Sequence, residues 1–195
     1  MTTLFRRRTT WLAFVLLAVC LPLAQHDPLL AQTEQCVGNV MTPPAGLVEV
    51  KAIDSKILEL LKAAIDLPSK GKLCKGGVFV AEKPVTVYRV YDRSKAYTMT
   101  GSWWALDVPR GPRDKYRLDN DICDEWSPLD VMTSCTIKVG AQIVIGPGQS
   151  AQCANPQTLL PASAVNQVFI PNDTRAQPPQ VFVENCTTGT PWPND

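Results

Sequence analysis

Between Asp54 and Asp66 the apolar residues Ile57, Leu58, Leu60, Leu61, Ala64 and Ile65 recur at helical spacing, with Lys56, Glu59 and Lys62 on the intervening positions. This pattern predicts one amphipathic helix near the start of the domain, capped by Asp54 or Ser55 and stopped by Pro68 and Gly71. Beyond it the period shortens to two, and strands are expected at 78–80 and, after Pro84, at 85–91. Residues 136–145 predict two short strands around Gly140, with further strands at 165–170 and 180–184. The stretch 100–125 is interrupted by Pro109, Gly111 and Pro112 and reads as loop or short strand, a texture that tends to carry function. The sum is a single α+β domain over 47–186, with one N-terminal amphipathic helix and a mainly antiparallel, strongly twisted β core stabilised by disulfides. A polar lead-in at 32–46 precedes it, and the tail 187–195 is expected to be flexible.

The N-terminus belongs to none of this. Arg6, Arg7 and Arg8 precede the apolar run 11–24, which is shorter than the roughly 20 residues a membrane-spanning helix needs. It reads as a secretory signal, cleaved after Ala31, leaving a mature chain without a membrane span that is secreted or periplasmic. Cleavage removes His26, the one histidine of the 195 residues, and with it the Ser-His-Asp and Cys-His hydrolase mechanisms. It also takes Lys+Arg from 19 to 16 and Asp+Glu from 18 to 17, a net charge of −1. No concentrated basic surface remains to hold nucleic acid.

Six cysteines are left, Cys36, Cys74, Cys123, Cys135, Cys153 and Cys186, an even number that in an exported chain predicts three disulfides. Cys135 with Cys153 is the favoured pair, since the two flank an expected strand pair. Without a CxxC or a histidine, these cysteines do not make a zinc cage, and no metal site is expected.

Among polar residues, Asp119, Asp121, Asp124 and Glu125 form the densest acidic group and read as a solvated loop; paired-carboxylate catalysis would require two of them to converge across a cleft. Arg89 is more informative. Strand alternation places it on the face of Val85, Val87 and Tyr91, so it is either an edge residue with a snorkelling stem or a buried guanidinium that needs an anion. Together with Arg117 and the pair Trp103-Trp104, it suits a phosphate-bearing nucleotide.

The order of motifs Tyr88-Arg89-Val90-Tyr91, Gly101-Ser102-Trp103-Trp104 with Pro109, Tyr116-Arg117-Leu118, Glu125-Trp126, Lys138-Val139-Gly140 and Asn166-Gln167-Val168-Phe169-Ile170 resembles bacterial polymorphic-toxin domains of the necrotizing-toxin (TNT) type. The resemblance spans about 85–170 and implies a secreted, toxin-like NAD glycohydrolase with a fold related to ADP-ribosyltransferases. It implies NAD as substrate without a further cofactor, and an immunity protein as partner. Carried over, Arg89 becomes the first arginine of the NAD pocket, with Arg93 after Asp92 as its rival, and Arg117 the second. Gln167 assists cleavage of the nicotinamide–ribose bond, and Trp103 or Trp104 stacks in the site. The chain departs from the family in adding cysteines and in replacing a glycine run by Ser163-Ala164-Val165-Asn166, a change that would narrow substrate access and leaves a catalytically dead relative as an alternative. No glutamate lies near Gln167 in sequence, which favours hydrolysis over protein modification. The alternative is a disulfide-rich binding or inhibitor module without chemistry. An enzyme requires Arg89, Arg117, a tryptophan and Gln167 to line one cleft; a module leaves them scattered.

Overall fold

The structure is a computed structural model that describes residues 36–193, so the leader at 1–31 lies outside the described residues. In chain order the elements are β1 (Leu47–Glu49), α1 (Ser55–Ala64), β2 (Gly77–Ala81), β3 (Val85–Tyr91), a 3-10 turn (Ala96–Thr100), β4 (Trp103–Trp104) and α2 (Arg113–Asp119). A second 3-10 turn (Asp124–Trp126) is followed by β5 (Val131–Ile137), β6 (Gln142–Pro147), β7 (Ala151–Gln152), β8 (Leu159–Leu160), β9 (Asn166–Phe169), β10 (Val183–Glu184) and β11 (Thr190–Pro191). This is an α+β chain whose named strands pair antiparallel throughout.

Two sheets enclose the main core. The first runs in the order β1-β2-β6-β9-β4. In the second, β3 and β5 pair along their whole lengths, from Val85 opposite Ile137 to Tyr91 opposite Val131, and the far edge of β5 takes β10 at one end and β11 at the other. Inward side chains of both sheets, among them Phe79, Ile143, Ile145 and Val168 from the first and Val87 and Ile137 from the second, form one cluster. Each fully buried Val, Ile or Phe contributes about 1.5–3 kcal/mol over leaving it in water. Strand β5 alternates strictly, with Val131, Thr133, Cys135 and Ile137 buried, whereas β6 is buried on both faces because Val144 meets a second cluster under α1. That double burial explains why β6 reads as an unbroken apolar run.

Of the two cap candidates Asp54 is the cap, its Oδ1 accepting from the Ile57 amide at 2.8 Å. The buried stripe of α1 is narrower than its apolar spacing suggests: Ile57 and Ala64 are buried, while Leu58 is 47% exposed. Among the described residues no helix is long and apolar enough to cross a membrane.

Three sequence expectations are corrected. The stretch 100–125 contains a helix, α2, which starts immediately after Pro112 and is too short at seven residues to display a helical period. The tail does not hang free through its described part: Trp192 is 3% exposed, donates Nε1 to the Pro109 carbonyl at 3.1 Å and packs edge-on against Tyr116. The disulfides are Cys36–Cys74, Cys123–Cys153 and Cys135–Cys186, so Cys135 does not pair with Cys153. Cys135 lies inside β5, whose neighbour β10 delivers Cys186 to it, while Cys153 faces the loop after α2. Peptide mapping of the unreduced protein should recover these three linkages, and a Cys135–Cys153 peptide would contradict the topology.

Candidate functional site

A cavity of about 210 Å³ has Arg89, Trp103, Gln167 and Asp121 in its walls. Each comes from a different element, and each is held for a separate reason.

Arg89 sits in mid β3, opposite Thr133. Its Nε donates to the Thr98 carbonyl at 2.7 Å and its Nη1 to the Trp103 carbonyl at 2.5 Å. A Cβ at Gly101 would stand only 2.5 Å from Nη2, so a glycine there lets the guanidinium pass. Burial pushes this guanidinium down to about 10, because a charge removed from water is penalised. Two of its N–H groups are held by backbone carbonyls.

Trp103 and Trp104 divide as neighbours on a strand must. Trp104 is 3% exposed, in the core, with Nε1 donating to the Gly101 carbonyl at 2.7 Å. Trp103 lines the cavity and leans on Phe169, ring centres 5.1 Å apart.

Gln167 belongs to β9, opposite Gly146 of β6, and is 6% exposed. Its Nε2 donates to the Asn120 carbonyl at 3.1 Å and approaches Asp121 Oδ2 at 3.5 Å. This is the main surprise of the acidic group. Asp124 projects into solvent with its side chain 88% exposed, but Asp121 is 2% exposed, in the left-handed region at φ 52°, and forms part of the cavity wall. The expectation of a solvated acidic loop therefore fails at this one position. Nothing local marks it, since its burial depends on β9 lying beside the loop after α2. Gly148 makes the approach possible: a Cβ there would fall 1.8 Å from Asp121 Oδ2 and 2.9 Å from Gln167 Nε2.

Arg117 is not brought to this cavity. As α2 ends, its fork turns onto the loop that follows, donating to the carbonyls of Cys123 at 3.2 Å and Ser127 at 2.7 Å and pairing with Asp124 at 2.8 Å. It lines a neighbouring cavity of about 410 Å³ instead. Its donors are occupied in clamping the loop that carries Asp121. Arg93 also stays outside, at the exposed end of β3, its backbone amide bonded to Asp130 at 2.9 Å. The cavity receives the preceding Asp92, whose carboxylate accepts from the Ser94 hydroxyl at 2.6 Å and amide at 2.9 Å and pairs with Lys95 at 3.2 Å. The Ser94 hydroxyl, ahead of the Lys95 charge, holds Asp92 below the usual carboxylate range against the opposing effect of burial.

Cys123, Glu125 and Cys153 approach one another closely enough to suggest a metal site, but both sulfurs are joined in a disulfide and offer no thiolate. No family model, curated protein or solved structure matches this chain. The geometry of the site makes Gly148→Ala a sharp probe: overpacking against Asp121 and Gln167 should cost about 1–3 kcal/mol in urea unfolding, and a neutral result would contradict the close approach.

Proposed function

We propose that this cavity binds a pyridine nucleotide and that the protein hydrolyses the nicotinamide–ribose bond of NAD. The observation that carries the reading is that Arg89, Trp103 and Gln167, far apart in sequence, line the same cavity. Cleavage of this bond needs no protonation of the leaving group. The electron pair of the C1′–N bond passes to the pyridinium nitrogen, nicotinamide departs neutral, and positive charge develops on the ribose. The enzyme must grip the phosphates, hold the ring and stabilise the cation, which are tasks for guanidinium, aromatic and amide groups rather than histidine.

Arg89, fixed by its carbonyl partners, supplies a cation for a phosphate oxygen. Trp103 offers an aromatic face to the cationic pyridinium ring. Gln167, its Nε2 anchored on Asn120, presents its amide oxygen to a ribose hydroxyl or to water. At about 210 Å³ the cavity falls below the roughly 300–1,000 Å³ of sites that enclose a whole drug-sized ligand, so it takes the nicotinamide ribose end and leaves the adenosine outside. Three disulfides suit a protein that works in an oxidising compartment, outside the cytosol.

A second reading, a binding module without chemistry, is favoured by one observation: Arg117 clamps a loop and does not complete an arginine pair with Arg89. The two readings separate in solution. Purified protein incubated with NAD should release free nicotinamide, and Gln167→Ala or Arg89→Met should slow release by about 10²-fold or more, as removal of one preorganised donor does. Release no faster than that of Gln167→Ala would leave the binding module standing.

A further inference from the structure

We propose that Asp121 is a second catalytic side chain of this cavity, one that steadies the cationic ribose and takes the proton of the attacking water. The inference rests on the NAD reading and assigns the base that reading lacks. Hydrolysis forms a bond from water oxygen to C1′ as the C1′–N bond breaks, and one water proton must leave. In a chain whose only histidine is His26, a carboxylate is the natural acceptor.

Two carboxylates line the cavity, Asp92 and Asp121. Asp92 already accepts two hydrogen bonds from Ser94 and an ion pair from Lys95, and these interactions weaken it as a base. Asp121 stands beside the amide of Gln167, at 3.5 Å, so a water held by that amide lies within reach of the carboxylate. The other charged side chains that line the cavity are Lys70 and Lys72 from the segment after α1 and Arg89 from β3, all cationic. The proton taken from water passes to solvent after nicotinamide leaves, so the carboxylate is regenerated without any other reactant. The local backbone is arranged around this position, with Asp121 in a left-handed conformation, Gly148 clear of its Oδ2, and its loop held by Arg117.

The test follows nicotinamide release from NAD across pH for the wild type, Asp121→Asn and Gln167→Ala, with unfolding midpoints as a folding control. The wild-type rate should fall on the acid side as Asp121 is protonated. Asp121→Asn should lose about 10²–10⁴-fold in kcat with little change in KM, and should lose the acid limb. Wild-type release that Asp121→Asn retains within a few fold overturns this assignment and leaves the NAD reading intact. Absence of wild-type release overturns both. Should Asp121→Asn fail to fold, the wild-type profile decides alone, an acid limb supporting the assignment and a flat profile overturning it.

Discussion

The Arg89 guanidinium connects the two halves of the molecule. It arises from β3 in the second sheet and donates to the carbonyls of Thr98 and Trp103, the latter in the strand that edges the first sheet. One residue earlier, Tyr88 and Ala105 exchange a pair of backbone hydrogen bonds at 2.8 Å, so backbone and side chain close the same seam. Burying a cation against neutral carbonyls is costly, which is why burial pushes Arg89 down to about 10. Carbonyls on two sides hold Nε and Nη1, so the side chain is at once a joint between sheets and a wall of the cavity.

The part of the wall that carries Asp121 and Gln167 is held by residues that do not line the cavity. Arg117 holds the carbonyls of Cys123 and Ser127, the Cys123–Cys153 bridge ties the same loop to the segment around β7, and Gly148 leaves room for it to close on Gln167. Together these place a buried carboxylate and a buried amide side by side. Such a pair is more demanding than an apolar contact, because each polar group taken from water must find a partner. The consequence is a cavity whose lining brings together a guanidinium, carboxylates, an amide and an indole.

Much of this was legible in the sequence where the signal was periodic. Helix α1, strands β2 and β3 and the placement of Arg89 on a strand face follow from spacing alone, and the resemblance singled out Gln167 before any geometry was known. Helix α2 was hidden because seven residues after Pro112 cannot display a period. The buried Trp192 was hidden because its partners, Pro109 and Tyr116, lie more than seventy positions upstream. The disulfides misled because nearness along a strand pair is a poor substitute for knowing which strand lies beside which. Asp121 and Arg117 exchanged roles for the same reason: type and neighbours suggested a solvated acid and a ligand-binding base, whereas packing made the acid part of the cavity and the base a clamp.

The proposal that this cavity is a pyridine-nucleotide site is open to a direct test. A crystal structure of the Gln167→Ala variant with intact NAD tests it most directly. The account expects the nicotinamide ring against Trp103, a phosphate oxygen on Arg89 and the nicotinamide ribose beside Asp121. Nucleotide bound elsewhere, or a cavity still empty at saturating NAD, would contradict it.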